Sequence, residues 1–411
     1  MGATLPTPFA NARELLTVRD YRRLWIVGAC TGFARWLEFL ALSIFTFQLT
    51  GSPALVAFIA IVRMLPYALL GFVVGAVADF VNRRLLLAAS MALALAASAV
   101  MVALTLTGAA TYAVVVAVSV AAGLFWTTDM PVRRRLLAEA VPADQLPSAV
   151  GLDNATSHLT RALGPLVGGL IYQTIGISGV FALTGLLYAI SMAISLRLTT
   201  PQTPIAPHQK PTLRTLLVPP KELLRNRRFR IVLAVTVVYN LWCFPFISMV
   251  PVIAQRDFLL SPAAVGALTA CDGIGGTIGA LVFGALATRR SLFAYYFWGT
   301  MTVLLTTLAL SYFLVIGVAI PILLIMGLGA AFFSATQFAL VYSMADPELR
   351  SRAAGFLSIF IGLSTVGHYM TGLLFDTFTT DVAAKIIAGQ GMVAMAILGI
   401  LWLRTPDPQA P

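Results

Sequence analysis

With 59% of its 411 residues hydrophobic and 10% charged, against about 25% charged in an ordinary soluble domain, the chain is excluded from the soluble globular class and assigned to a lipid bilayer. Its net charge of +11 raises nucleic acid as a partner, yet 22 of the 27 Lys and Arg fall in loops on one side of the apolar segments described next. The basicity is therefore an orientation signal with some attraction for anionic headgroups, and nucleic acid is excluded.

Met1 to Arg23 is polar and the apolar run that follows is too long for the h-region of a leader, so no cleaved signal peptide is expected. A membrane-crossing helix needs about 20 mostly apolar residues. The spans predicted for the first half are Leu24 to Leu49, Leu55 to Val77, Leu85 to Thr107, Tyr112 to Thr128, Val150 to Tyr172 and Val180 to Leu196. All are read as helices, because a backbone in hydrocarbon must satisfy its own hydrogen bonds and the runs are too long and unalternating for barrel strands. The first span holds Arg35, Trp36 and Glu38, the second Arg63, and the fifth Arg161. Between spans two and three stand Gly75, Asp79, Arg83 and Arg84, with Asn82 where a Gly would allow a left-handed turn, which Asn tolerates. Span four holds Trp126 and exits through Pro131, Arg133 to Arg135, Leu136, Leu137 and Pro142. No Arg is placed within that span. In span five, Gly164, Pro165, Gly168 and Gly169 put bare backbone on one helix face and remove one backbone hydrogen bond.

A linker over residues 199–228, rich in Pro and Arg, separates residues 1–198 from residues 229–411. The second half repeats the pattern with spans at Ile231 to Ile253, Val265 to Ala287, Leu292 to Val315, Ala319 to Met344, Ala353 to Phe375 and Val382 to Leu403. Within them lie Asn240, Asp272, Gln337 and His368. The even number of spans and the one-sided Lys and Arg place both termini in the cytoplasm. Only Arg256 and Lys385 fall in the opposite loops, each close to an Asp. Cys30, Cys243 and Cys271 all lie inside spans and have no metal-ligand spacing; they are read as packing residues, and no metal or cofactor is expected.

The two halves are faint copies. Leu15-Leu16 before Tyr21-Arg22 return 208 residues later as Leu223-Leu224 before Phe229-Arg230, and Gly164 and Gly169 return as Gly367 and Gly372. Such a repeat of six-span halves, with the loop from Gly75 to Arg84, resembles the major facilitator superfamily, whose signature loop reads Gly-x-x-x-Asp-Arg-x-Gly-Arg-Arg/Lys. Phe80 and Asn82 depart from that pattern. The segment from Gly123 to Pro142 is similar to the span-four exit of bacterial enterobactin-exporter-like proteins, a group that includes macrolide efflux proteins. Gly164-Pro165-x-x-Gly168-Gly169 looks like the span-five element of exporters in this superfamily. The resemblance implies an all-α membrane protein of twelve transmembrane helices in two pseudo-symmetric six-helix halves, a proton-coupled exporter of siderophore-like or drug-like molecules working by alternating access. An importer or symporter of an organic anion is the alternative. It further implies a monomer in the bacterial inner membrane. Gly75, Asp79, Arg83 and Arg84 would be its conformational latch.

Ionisable groups at membrane depth cost roughly 2.5 to 3.5 kcal/mol each, so they are functional candidates. At about 1.5 Å per residue, Arg35, Glu38, Arg63, Arg161, Asp272 and His368 all fall roughly 13 to 23 Å into their spans. Glu38, Asp272 and His368 are the proton-coupling candidates; permanently ionised pairs of Glu38 with Arg35 and Asp272 with Arg63 are the alternative. Arg35, Arg63, Arg161, Trp36, Trp126, Asn240 and Gln337 are substrate-cavity candidates, and three Arg against two carboxylates lean toward an anionic or zwitterionic substrate. No His-Glu-x-x-His, Gly-x-Ser-x-Gly or phosphate-loop pattern argues for an enzyme or for direct ATP drive.

Overall fold

The structure is a computed structural model that describes residues 14–77, 81–142, 145–199, 221–286, 292–345 and 349–404. Its long helices follow the predicted spans. In chain order they are α1 (Arg19–Thr50), α2 (Pro53–Val77), α3 (Arg83–Leu106), α4 (Tyr112–Ala140), α5 (Leu146–Ile175) and α6 (Ile177–Ser195). The seventh predicted span is jointed: α7 (Arg227–Val238), a π-helical turn at Tyr239–Cys243, α8 (Phe244–Ser248) and α9 (Val250–Arg256). Then come α10 (Pro262–Leu286), α11 (Leu292–Tyr312) and α12 (Ile316–Met344). The eleventh span is split at Leu363 into α13 (Arg350–Gly362) and α14 (Ser364–Thr377), and α15 (Thr380–Leu403) closes the chain.

Eleven helices among the described residues are long and apolar enough to cross a membrane. The twelfth expected, α5, has 30 residues but carries Asp153, Asn154, His158 and Arg161, and those polar groups lower its apolarity. Large apolar side chains point outward, with Leu69 65% and Leu281 70% exposed, while Glu38, Arg63 and Asp272 are buried. That inversion fits a lipid surround.

Two corrections concern helix ends. The predicted fourth span stopped at Thr128, before Pro131, yet α4 runs straight through that proline for 29 residues. Arg133, Arg134 and Arg135 therefore lie within the helix, and Arg133 is buried. Asn82 forms no left-handed turn. Its backbone is extended (φ −65°, ψ 108°), and its side chain accepts hydrogen bonds from the Arg84 and Leu85 amides at 3.1 and 3.3 Å, capping α3.

The chain divides into two compact units, one made of Met1–Leu42 and Leu65–Lys210, the other of Ser43–Met64 and Pro211–Pro411. In the first, Tyr21, Leu24, Leu87, Met91, Phe125 and Tyr188 form one buried cluster. Phe125 meets Tyr188 edge to face at 5.0 Å. Helix α5 closes on α1 through glycine: a methyl group on Gly164 would stand 2.5 Å from Trp36 Cβ, and one on Gly168 3.1 Å from Leu37 Cδ2. In the second unit the repeat glycine Gly367 is seated against Asn240 O, Leu241 O and Pro245. Both copies thus use a bare glycine to bring a span against the first span of their own half, which is the physical content of the sequence repeat. Arg256 pairs with Asp257 at 3.5 Å and Lys385 with Asp381 at 3.2 Å, as the sequence suggested.

Candidate functional site

In the first unit, α1 presents Arg35, Trp36 and Glu38 within one turn. Helical spacing puts Trp36 against α5, where Gly164 leaves room for it. The Arg35 guanidinium lies 5.8 Å from the centre of the Trp36 ring and 5.3 Å from that of Trp126 on α4. Arg161 on α5 approaches the Trp36 ring at 5.3 Å, and Tyr67 stacks on Trp126 at 5.8 Å. Four of the predicted cavity residues, Arg35, Trp36, Trp126 and Arg161, are therefore brought together. Cation–π contacts of this kind add about 0.5–2 kcal/mol each. The indole N–H groups of Trp36 and Trp126 are both buried, and neither meets an acceptor among the described residues. Two unmatched donors beside two guanidinium groups make a surface suited to acceptor or anionic oxygen.

One turn along α4 lies a group that sequence reasoning missed. Asp129, Arg133 and, on α5, Asp153 form a buried charge cluster: Arg133 Nη1 donates to Asp153 Oδ1 at 2.6 Å, and Arg133 Nε stands 3.6 Å from Asp129 Oδ2. Gly28 makes the space, since a methyl group there would sit 2.7 Å from Arg133 Cζ. The available signal was the four-residue spacing of Asp129 and Arg133, which faces them along a helix. Pro131 between them signals a helix stop and hides that pairing in the sequence.

Glu38 is 3% exposed, within the protein interior. Arg63 and Asp272 are similarly buried and belong to the second unit. There Asp272 sits where α10 and α12 touch; a methyl group on Gly327 would stand 2.8 Å from the Asp272 carbonyl carbon. Asn240 lies in the π-helical turn and donates to Thr236 O at 2.9 Å, and Gln337 is buried on α12. His368 Nδ1 is 2.6 Å from Ser364 O, so that nitrogen carries the proton, and its ring meets Phe244 edge to face at 5.4 Å.

Of the loop motif, Asp79 lies outside the described residues and Gly75 falls in the last turn of α2. Arg83 is buried and its Nη1 donates to both Glu139 oxygens, at 2.8 and 3.0 Å, tying the start of α3 to the end of α4. Arg84 donates to Leu198 O at 2.9 Å. Gly168 and Gly169 are buried on α5, as is Pro165, through which the helix continues.

A family model described as Major Facilitator Superfamily matches residues 24–367. The uncharacterized MFS-type transporter YfiS of Bacillus subtilis (strain 168) is 24% identical over 305 residues, 73% of this chain and 70% of that protein. Among solved structures, a point mutant of the nucleoside transporter NupG superposes with a TM-score of 0.74 at 15% identity, covering 93% of this chain and 99% of that one. A bacterial homologue of the iron transporter ferroportin, in an inward-facing state, gives 0.68 at 16% identity over 95% and 98% of the two chains. At such identities the likeness is one of fold.

Proposed function

Because the chain belongs to the Major Facilitator Superfamily and is a multi-pass membrane transporter of that type, we propose that it is a proton-coupled exporter of small organic molecules. The cargo is siderophore-like or drug-like, and alternating access carries it across the bacterial inner membrane, with both termini cytoplasmic. The observation that carries the reading is the cluster of Arg35, Trp36, Trp126 and Arg161, which offers ring faces, cationic groups and two unmatched N–H donors to a ligand bearing an aromatic ring and acceptor oxygens. The export direction is supported by the Gly164-Pro165-x-x-Gly168-Gly169 element, whose first glycine is seated on Trp36 itself. Assignment to the enterobactin-exporter-like and macrolide-efflux group rests on the α4 exit from Gly123 to Pro142. Glu38, with Asp272 and His368 after it, is the coupling candidate, and the protein works as a monomer. The Gly75 to Arg84 loop serves as a conformational latch, so Asp79→Asn lowers transport in correctly inserted protein.

The same cationic cluster favours a second reading, import of an organic anion with a proton. Uptake of a panel of siderophores, macrolides and dyes into everted membrane vesicles, with and without a proton gradient, separates the two. Gradient-driven accumulation inside everted vesicles supports export; loss from preloaded everted vesicles supports import; no movement of any compound in either direction refutes both.

A further inference from the structure

The Asp129 cluster is not absorbed by the cargo site. Asp129 is 5% exposed, and its Oδ1 is buried without a hydrogen-bond partner among the described residues. The carboxylate lines a cavity bounded also by Gly28, Thr31, Arg35, Trp126 and Asp153. About 20 Å³ is open there to the centre of a water molecule. That holds one water and is far below the roughly 300 Å³ at which drug-sized ligand sites begin. Size alone therefore restricts the occupant to a water molecule or the proton it delivers.

Charge narrows it further. The charged groups around Asp129 are Arg133 on its own helix, Asp153 on α5 and Arg35 on α1, with Arg134 also lining the cavity. Arg133 is committed to Asp153, at 2.6 Å, and only approaches Asp129, at 3.6 Å, beyond hydrogen-bond reach. Arg35 is shared with the Trp36 and Trp126 rings. Two carboxylates on one guanidinium leave the triad itself one negative charge in excess; Arg35 faces that charge, yet Oδ1 is buried without a hydrogen bond among the described residues, and a buried charged oxygen left unbonded is costly. A proton on Asp129 Oδ1 removes that charge without breaking the Arg133–Asp153 bond.

We propose that Asp129 is a proton-binding site of this transporter, served by a water in the adjoining cavity and separate from Glu38. Hydronium in the cavity gives its proton to Asp129 Oδ1 and remains as water; the triad passes from −1 to neutral. The assignment of this proton to transport rests on the proton-coupled reading above, whereas its binding does not.

The test is a pH titration of the purified full-length protein by infrared difference spectroscopy, reading the C=O band of protonated carboxyl groups shielded from water, which lies at higher frequency than that of the exposed Asp and Glu. In wild type and in Glu38→Gln a band should grow as pH falls, and Asp129→Asn should remove it. Asp129→Glu should keep a titrating band at a shifted frequency, which guards against an Asp129→Asn protein that does not fold. A wild-type band that persists unshifted in Asp129→Asn or Asp129→Glu overturns the site. A band lost only in Glu38→Gln overturns it too, while leaving proton coupling intact. If no carboxyl band titrates in wild type, the site is refuted; vesicle transport that is nonetheless gradient-driven would show that the coupling reading survives without it.

Discussion

Gly28→Ala is a small change with a sign that depends on a residue on another helix. The new methyl group would stand 2.7 Å from Arg133 Cζ and closer still to Nη1, and 3.2 Å from Asp153 Oδ1. A guanidinium is the far end of a flexible side chain, and an exposed one would swing away at little cost. This one is 8% exposed and holds Asp153 at 2.6 Å. To yield, it must loosen a buried charge-assisted hydrogen bond worth about 1.5–3 kcal/mol. Replacing Gly by Ala inside a helix returns about 1 kcal/mol. Gly28→Ala is therefore expected to destabilise by roughly 0.5–2 kcal/mol. In a background where Arg133→Met and Asp153→Asn remove the pair together, the same change should stabilise by up to about 1 kcal/mol. Reversible unfolding in mixed micelles, followed by tryptophan fluorescence, measures both arms of the cycle. An equal cost in the two backgrounds would refute the placement of Arg133 beneath Gly28.

Glu38→Gln is expected to abolish gradient-driven efflux while sparing substrate counterflow, since the amide keeps the volume and loses the proton; uphill pumping with the wild-type pH profile would move coupling to Asp272. Arg161→Gln should weaken an anionic siderophore more than a cationic dye in binding assays, and equal losses would mark Arg161 as a support for the Trp36 ring. Gly164→Ala, which sets a methyl group 2.5 Å from Trp36 Cβ, should cost about 1–3 kcal/mol of stability by overpacking α1 against α5; an unchanged unfolding midpoint would show that the two helices separate freely.

The fold was readable because lipid imposes a strict rule on the backbone: apolar runs of bilayer length are helices. The glycine repeat was readable for a related reason, as bare backbone has few uses in a membrane helix other than close approach, and Gly164 and Gly367 both serve that use. Depth in the bilayer singles out Arg35 and Arg161, and aromatic character singles out Trp36 and Trp126; that the four meet is visible only in three dimensions, since nothing in sequence fixes the rotation of α4 against α1. Asp129 escaped because a proline one turn from the end of an apolar run signals a helix stop. At Pro131 the helix nevertheless continues, and of the charges beyond it Arg133 is drawn into the interior while Arg134 stays exposed. The Asn82 turn was misjudged for a local reason: the same side chain that permits a left-handed backbone also caps a helix, and the exposed amides of Arg84 and Leu85 decide for the cap.

The jointed seventh span has a mechanical meaning. A helix resists bending through its ladder of backbone hydrogen bonds, and α1 keeps that ladder for 32 residues. Its repeat partner is interrupted at Tyr239–Cys243 and again at Met249, with Pro245 and Pro251 beside the breaks. The split at Leu363 occurs on the neighbouring helix, and Gly367, one turn on, is seated directly on the carbonyls of Asn240 and Leu241. Two weak points thus bear on each other inside one unit, and bending either helix there breaks few bonds that are not already missing. Compliance is unevenly shared between the two halves: the first span of one is a stiff lever, and its counterpart is a pair of levers with a pivot between them.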